Sequence, residues 1–271
     1  MVCHIRLARF VAIGFLTLLA GSLLAGSAGA DTLSITASDN ADLAAYNPPN
    51  NVWGATNGGF GYGAWSGLSN TGGGGTYMEN SGGQVDGSNS FALYAGGGNY
   101  GISRPLSSSL PNGEFDITTR FNLAGNGPNL VNLRSGNDTA NFGGGELLSF
   151  GIANNNQIGY TDNSGIHVLP SGEARGAVWH WMVNFDAAAG TYSAAVNNVG
   201  GGYSGTFSGS LKSSATSVGS FAVLNSSSGD GQNLIFDSPA FGVIVPEPSS
   251  MALLIAAAAA SMVYARRRVR A

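Results

Sequence analysis

Two carboxylates are the residues whose type and spacing most directly suggest chemistry. Glu114 and Asp116 stand two positions apart, so on a β-strand their side chains point to the same face. Two carboxyl groups held in different protonation states can cleave a glycosidic bond, one as acid and the other as base or nucleophile. The same spacing is also typical of the water-facing side of an ordinary antiparallel strand, which is the simpler interpretation.

The residues that follow favour the simpler interpretation. Residues 114–119 read Glu-Phe-Asp-Ile-Thr-Thr. This segment resembles the E-x-D-x-x-E run of some jelly-roll glycoside hydrolases, in which the outer glutamates act as nucleophile and acid. The resemblance implies a carboxylate at position 119, where this sequence has Thr119. Retaining hydrolysis needs two carboxyls about 5–5.5 Å apart, so we assign no catalytic residue and keep a glycan-cleaving enzyme only as an alternative.

The other candidate groups also lack the spacing of a known site. His167 and His180 are the only histidines after residue 30, and neither belongs to an H-x-x-x-H pattern. Asp162 opens a Asp-Asn-Ser-Gly segment that calcium could use, but the D-x-[DN]-x-[DN]-G loop is absent and a turn is favoured. The glycine run 72–75 is not followed by the Gly-Lys-Ser/Thr of a phosphate loop. We therefore predict no metal and no cofactor.

Aromatic residues in a glycine-rich stretch, residues 46–80, suggest a second kind of chemistry. Trp53, Tyr62 and Trp65 could lie flat against the apolar face of a sugar ring. Aromatic side chains more often bury their large area in packing. So much glycine is unfavourable in a helix or a long strand. We therefore predict an irregular layer whose aromatics pack onto the rest of the domain, with sugar stacking as the alternative.

The elements that position these residues are predicted to be strands. Apolar and polar residues alternate in residues 115–123 and again in 179–185. The second run places His180 on the face opposite Trp179 and Trp181 and continues through a glycine-ended turn, residues 186–190, into a return strand at 191–196. Residues 147–153 and 157–160 form a second predicted hairpin. Shorter strand candidates are 221–224, 234–236 and 241–245.

Many short strands separated by Gly, Asn and Ser turns predict an all-β, antiparallel sandwich or jelly roll. Three segments support this fold: the strand in PNGEFDITTRF, the tryptophan-containing strand, and the late IFDSPAFGV strand. Their order resembles that of concanavalin A-like jelly rolls. The resemblance covers about residues 113–243 and implies a sandwich, while leaving the function open.

The charge of this central region excludes one class of partner. Residues 31–245 contain five basic and fourteen acidic side chains, a net charge of about −9. Such a domain repels nucleic acid and anionic lipid. Low charge density with frequent Gly, Ser, Asn and aromatic residues is typical of an extracellular β protein rather than of a disordered acidic segment.

The first thirty residues predict a cleaved signal peptide. Arg6 and Arg9 precede a mostly apolar run at 10–24, and Ala28 and Ala30 form an A-x-A cleavage site. This three-part arrangement is the secretory signature, and the apolar run is too short to be a spanning helix. We therefore expect export, with residues 31–245 forming the folded domain.

The residues from 249 to the last position predict a membrane anchor. Residues 249–265 are uncharged and mostly apolar, and the basic residues Arg266, Arg267, Arg268 and Arg270 follow. Seventeen helical residues span roughly 25 Å, enough for a thin bilayer. Because Arg prefers the cytoplasmic side, we expect the tail to lie initially in the inner membrane, with its Arg end in the cytoplasm and the domain outside.

A proline motif joins the domain to this predicted helix. Val245, Pro246, Glu247 and Pro248 precede Ser249, and two prolines keep a segment extended and accessible. The order of V-P-E-P, apolar helix and Arg cluster in residues 245–271 resembles the PEP-CTERM sorting tail. That resemblance implies recognition of Pro246–Pro248 by an exosortase, a membrane protease/transpeptidase of Gram-negative bacteria that also make exopolysaccharide.

Three functions remain open. The first is a non-catalytic protein of the cell surface or extracellular matrix, sorted by an exosortase and associated with extracellular polysaccharide. The second is a lectin-like carbohydrate-binding module, and the third is a glycan-cleaving enzyme. The sequence identifies no nucleic-acid partner and no ligand.

Processing of the tail predicts a defined C-terminus. We expect the protein from the envelope and secreted fractions of its native host to end between residues 246 and 250, without the Arg cluster. Mass spectrometry of the C-terminal peptide measures this directly. Mature, membrane-bound protein that still ends in Arg270-Ala271 would show that the tail is a plain anchor.

Overall fold

The computed structural model describes residues 32–46, 53, 57–71, 73–121, 128–136, 144–152, 157–170, 175–226 and 233–245, together with Ala258 and Ala260. The chain divides into two compact units. The larger unit is Ile35–Val243 and holds the folded core described below. The smaller combines Met1–Ser34 with Ile244–Ala271, and in its described part the Thr32 hydroxyl donates a hydrogen bond to the Val245 carbonyl (3.4 Å).

The described residues form fifteen strands and one short 3₁₀ turn at Ala44–Tyr46. In chain order the strands are β1 (Thr32–Ser38), β2 (Ser66–Asn70), β3 (Gly75–Glu79), β4 (Ser90–Tyr94), β5 (Tyr100–Leu110), β6 (Asn112–Phe121), β7 (Asn129–Ser135), β8 (Glu146–Ile152), β9 (Ile158–Asp162), β10 (Gly165–Val168), β11 (Val178–Asp186), β12 (Thr191–Asn198), β13 (Ser204–Ser210), β14 (Val218–Asn225) and β15 (Asn233–Val245).

The strands form two sheets that face each other across one core. Sheet A has eight described strands, in the order β13-β12-β11-β6-β15-β4-β3, with β1 paired to β15. Sheet B has seven, in the order β10-β9-β8-β7-β14-β5-β2. The registered pairings in both sheets are antiparallel. The predicted all-β antiparallel sandwich is confirmed.

Alternating burial explains why the predicted strands form. In β6 and β11 every second side chain is buried, and Phe115, Ile117, Trp179 and Trp181 are completely enclosed. The hairpin from β11 to β12 and the pairing of β8 with β9 are both present. The predicted strands 234–236 and 241–245 are parts of one strand, β15, whose register shifts between Asp237 and Ala240.

The glycine-rich stretch differs from the prediction. It contains two five-residue strands, β2 and β3, so residues 46–80 are not wholly irregular. Gly59 and Gly61 explain part of the glycine content. Both have positive φ, and a Cβ atom on either would approach a backbone oxygen of β1 to 2.1 Å. The segment therefore needs glycine to cross β1 this closely.

The aromatic residues of this stretch lie in the core between the sheets. Trp53 contacts Trp65 edge-on, with 4.7 Å between ring centroids, and also packs on Phe91 (4.9 Å). The indole of Trp53 donates to the carbonyl of Tyr77 (2.8 Å). Trp65 immediately precedes β2 of sheet B, and it contacts Phe221 of the same sheet and Phe91 of sheet A. The predicted packing is thus present, as part of the interior rather than as a layer outside it.

A buried ion pair organises the region around these aromatics. Arg104 on β5 and Asp39 after β1 form a salt bridge, and both side chains are completely buried. The guanidinium also donates to the carbonyls of Gly58 (2.5 Å) and Gly63 (3.3 Å), and its carbon lies 4.6 Å from the ring centroid of Tyr62. Burial lowers the pKa of Arg104 to about 10, a value that keeps it charged near neutral pH.

Substitutions in this pair test its contribution to stability. We expect Asp39→Asn to lower the free energy of unfolding by about 3–5 kcal/mol, because it leaves a buried guanidinium without its counter-charge. Chemical denaturation measures the change. Lys212→Met is the matched control, since the Lys212–Glu146 pair (2.5 Å) is partly exposed and should contribute about 1 kcal/mol or less. Equal effects of the two substitutions would refute the organising role of Arg104.

The predicted membrane span falls almost entirely outside the described residues. Of residues 249–265 the structure describes only Ala258 and Ala260, both helical. Within the described part of the chain no helix is long and apolar enough to cross a membrane.

Candidate functional site

The outer face of sheet A carries a group of polar side chains on neighbouring strands. His180 on β11 lies in register with Thr118 on β6 and with Asn197 on β12, which in turn lies opposite Ser204 on β13. The adjacent row is formed by Asp116, Met182, Ala195 and Thr206. We call the surface made by Asp116, His180, Met182, Ala195, Asn197 and Ser204 the Asp116–His180 face.

A carboxylate–imidazole pair lies at the centre of this face. The Nε2 atom of His180 is 2.8 Å from Oδ1 of Asp116, and the two side chains are 34% and 32% exposed. The hydrogen bond to Asp116 raises the pKa of His180, burial opposes the rise, and the negative charges of Asp116 and Glu114 add to it. The imidazole is therefore held in place and remains reachable from solvent.

Glu114 lies one row further along the same face, as its spacing from Asp116 predicts. Burial raises the pKa of Glu114 and the neighbouring charge of Asp116 raises it further, whereas a hydrogen bond with Asn184 lowers it. Asn184 is also the register partner of Glu114. The face therefore has a carboxyl group with an increased tendency to hold a proton, next to a carboxylate bonded to histidine.

A small depression opens beside this pair. Its volume is about 110 Å³, and its lining combines Met182 and Ala195 with the polar His180, Asn197 and Ser204, together with Val196. Sites for small ligands characteristically combine an apolar surface with a few oriented polar groups. The depression has this combination of apolar and polar groups in a smaller volume.

His167 lies elsewhere, in a separate cluster at the β9–β10 turn. Its Nε2 atom is 3.0 Å from Oδ1 of Asp162 and 2.7 Å from the Ser164 hydroxyl. The other oxygen of Asp162 accepts a hydrogen bond from Tyr192 (2.8 Å). Burial acts to raise the pKa of Asp162, but the hydrogen bonds from Ser164, Tyr192 and His167 outweigh it and lower the pKa to about 2.

This cluster has the residue types of a catalytic triad but not its geometry. In a triad the serine and the aspartate contact opposite nitrogens of the imidazole ring. Here Ser164 and Asp162 both contact Nε2 of His167. Asp162 also accepts the backbone N–H of Ser164 (2.8 Å), as expected for the predicted turn. The cluster closes a turn and links β9 to β12.

The predicted sugar-stacking residues are not on the surface. Trp53 is 1% exposed and Trp65 is 6% exposed, so both rings are packed inside and are not available for the alternative role of stacking on an external sugar. Tyr62 is partly buried, its ring covered by Arg104 on one side and packed near Phe221. These rings are held inside because they fill the space between the sheets, where their large apolar area is most stabilising.

Several other predicted sites lie outside the described residues. These are the signal-cleavage residues Ala28 and Ala30, the motif residues Pro246, Glu247 and Pro248, and the basic residues Arg266, Arg267, Arg268 and Arg270. Val245 is described and ends β15. Among the residues that the structure does describe, no group of three or more His, Cys, Asp or Glu side chains could hold a metal ion.

Sequence reasoning missed the part of the face contributed by β12 and β13. The predicted hairpin of residues 179–196 could have located Asn197, because continuing the pairing of its two strands by one residue places Asn197 opposite His180. Strand β13 offered none, since its sequence Ser-Gly-Thr-Phe-Ser-Gly-Ser has one large apolar residue. Ser204 could therefore be located only through the observed pairing.

Comparison with known proteins finds similarity of fold only. No protein-family model and no curated protein match the chain. A structure of the carbohydrate esterase vb_24B_21 from Shiga toxin-encoding bacteriophage phi24B aligns with a TM-score of 0.50 at 11% identity, covering 79% of this chain and 100% of that one. The globular domain of T. cruzi calreticulin aligns with a TM-score of 0.46 at 12% identity, covering 75% of this chain and 95% of that one. Peanut lectin aligns with a TM-score of 0.42 at 14% identity, covering 66% of this chain and 96% of that one.

The His180–Asp116 pair predicts a specific pH dependence. Because the folded-state pKa of His180 is raised, the pair stabilises the fold fully below the unfolded pKa of about 6.5 and loses this contribution as pH rises through the folded-state pKa. We expect Asp116→Asn to lower the pKa of His180 in an NMR titration. The variant should also lose more stability at about pH 5.5 than at about pH 8. His167→Ala identifies the resonance, and an unchanged His180 titration in Asp116→Asn would contradict the assignment.

Proposed function

We propose that this chain is an exported, non-catalytic glycan-binding protein that holds sugar on the Asp116–His180 face. One observation carries the proposal: a depression of about 110 Å³ whose lining combines a carboxylate-bonded imidazole, an amide and a hydroxyl with apolar side chains. The fold alone does not select a function, so the proposal rests on this surface.

The chemistry of the depression complements a sugar. A pyranose ring has apolar C–H faces and a rim of hydroxyl groups, each of which donates and accepts hydrogen bonds. Met182 and Ala195 can cover the apolar side, while Asn197 and Ser204 provide donors and acceptors. Asp116 retains lone pairs beyond the one used by His180 and can accept from a sugar hydroxyl.

Size and charge narrow the class of glycan. Complete ligand pockets enclose about 300–1,000 Å³, so this depression fits one sugar unit or the edge of a longer chain. The acidic character of residues 31–245 disfavours strongly anionic polymers. The proposed ligand is thus a neutral or weakly charged extracellular polysaccharide, contacted at one unit at a time.

The predicted targeting signals belong to the same proposal. The arrangement ending at Ala30 supports export, and the V-P-E-P motif with the following helix and Arg cluster supports exosortase sorting. A protein delivered in this way meets exopolysaccharide outside the cell. Glycan binding would then give the sorted domain a role in the extracellular matrix or at the cell surface.

A second candidate function is glycan cleavage, favoured by the environment of Glu114. Its raised pKa beside Asp116 is the pattern expected of an acid and its charged partner. The same strand has Thr119 where a further carboxylate is expected in the hydrolases that the segment resembles. The binding function needs no such group and is therefore preferred.

Binding to the exopolysaccharide of the native host tests both candidates. We expect His180→Ala to weaken binding of the full-length protein at least about tenfold, because it removes a lining side chain of the depression together with the hydrogen bond that orients Asp116. Affinity electrophoresis or calorimetry measures the change. Glu114→Gln should leave binding nearly unaltered, and no reducing ends should appear when the wild-type protein is incubated with the polysaccharide.

His167→Ala is the matched control, because His167 also pairs with an aspartate but lies in the Asp162 cluster. It should bind like the wild type. Equal loss of binding in His167→Ala and His180→Ala would place the site elsewhere. Release of reducing ends that Glu114→Gln abolishes would replace the binding function by cleavage.

A further inference from the structure

Three apolar side chains are exposed together where strands β1 and β15 pair. The described part of the smaller unit includes residues 32–34 of β1 and 244–245 of β15, and we call these five residues the terminal ribbon. Leu33 is 41% exposed, Ile244 is 50% exposed and Val245 is 40% exposed. The Thr32 hydroxyl donates a hydrogen bond to the Val245 carbonyl, so the outermost residues of the two strands are held side by side.

The composition of the terminal ribbon sets it apart from an ordinary surface. All five residues are exposed and none of them carries a charge. A single exposed apolar residue needs no explanation, because much of every protein surface is apolar. Neighbouring exposed apolar side chains are more informative, since contiguous apolar surface marks sites that contact another protein or a membrane.

The sequence on both sides of the terminal ribbon indicates which of these partners it contacts. Residue 32 follows the apolar run 10–24 of the predicted signal peptide, and residue 245 precedes the apolar run 249–265 of the predicted anchor. Because Thr32 and Val245 are hydrogen-bonded to each other, both predicted membrane segments join the folded chain at the same place. The partner closest to the terminal ribbon is therefore a lipid surface.

The linker to the predicted anchor is too short to take the terminal ribbon far from that surface. Only residues 246–248 separate Val245 from residue 249. Four extended residue steps reach about 14 Å at most, and the headgroup layer on each side of a bilayer is about 5–8 Å thick. Apolar side chains of interfacial segments enter the boundary between headgroups and acyl chains by about 5–10 Å. These lengths allow the side chains of the ribbon to reach the boundary.

Charge determines which lipid suits the contact. Residues 31–245 have a net charge of about −9, so anionic headgroups repel the chain. The uncharged terminal ribbon needs no electrostatic attraction, and salt does not screen an apolar contact. A zwitterionic lipid surface is thus the partner that fits both the ribbon and the charge of the rest of the chain.

We propose that the terminal ribbon docks on the membrane that holds the predicted tail, with Leu33, Ile244 and Val245 inserted among zwitterionic headgroups. Three side chains bind lipid weakly on their own, but a short tether gives them an effective concentration in the millimolar range. Cleavage between residues 246 and 250 removes the tether and releases the contact with it. The inference rests on the export and the tail of the proposed function, and it does not depend on glycan binding.

Site-specific fluorescence of the full-length chain tests the contact. Cys3 is the only cysteine, so a Cys3→Ser background accepts a single label at Leu33→Cys. In phosphatidylcholine vesicles we expect brominated lipid to quench this label equally at low and high salt. Ile166→Cys is the matched control, because Ile166 is 64% exposed and lies in the larger unit. A label at position 166 should keep its fluorescence.

Polar substitution separates apolar insertion from simple closeness to the tail. For a label at Val245→Cys, the pair Leu33→Asn and Ile244→Asn should remove most of the quenching. The melting temperature should stay the same, because both replaced side chains are exposed. Quenching that is equally strong with and without this pair of substitutions would show that the tether alone brings the label to the lipid, and the proposal would be overturned.

Flotation with the vesicles reports separately on the anchor. A chain that floats with an unquenched label at position 33 contradicts the docked ribbon and leaves the anchor and the glycan-binding function standing. A chain that does not float overturns the docked ribbon together with the predicted anchor, while exopolysaccharide binding still tests the glycan site by itself. Shielding of the label that depends on protein concentration and not on lipid means that a second copy covers the ribbon, which also overturns the proposal.

Discussion

The burial of one guanidinium is the constraint on which this part of the sandwich depends. Arg104 extends from β5 into the space between the sheets, where a charge is tolerated only if it is paired and hydrogen-bonded. Asp39 provides the counter-charge, and the carbonyls of Gly58 and Gly63 take further donors. The glycine-rich segment therefore has to approach closely, and its aromatics are drawn into the core with it. The glycine-rich segment therefore packs against the Arg104 guanidinium instead of lying on the surface of the domain.

The two sheets differ in how their strands bury side chains. On sheet A, β6 and β11 bury one row of side chains and leave Asp116 and His180 at the surface as a bonded pair. On sheet B, β14 is buried along its whole length, on both faces. The first arrangement provides an open surface with oriented polar groups, and the second provides an enclosed row with unpaired ones around Asn132. One sandwich thus has two chemically distinct outer faces.

Local alternation made the fold class and the shared face of Glu114 and Asp116 predictable, because a period of two determines which side chains lie together. Strand β5 was not predictable in this way. It contains Pro105 and a run of serines, and its most important side chain, Arg104, is charged yet lies inside. Trp53 and Trp65 were assigned to alternative roles because their burial depends on contacts with Phe91 and Phe221, far away in sequence.

Strand β15 connects the sandwich to the residues beyond Val245. It is thirteen residues long and lies inside sheet A, hydrogen-bonded to β6 along Leu234–Gly242 and to β4 along Asn233–Phe236. A force that pulls on the chain from its C-terminal side acts along the axis of β15, which is an interior strand. The backbone hydrogen bonds to the strands on both sides are then loaded in shear, so many of them must break together instead of opening one after another as at the end of an edge strand. The strand that leads to the proposed anchor is therefore bonded on both sides where such a force would enter.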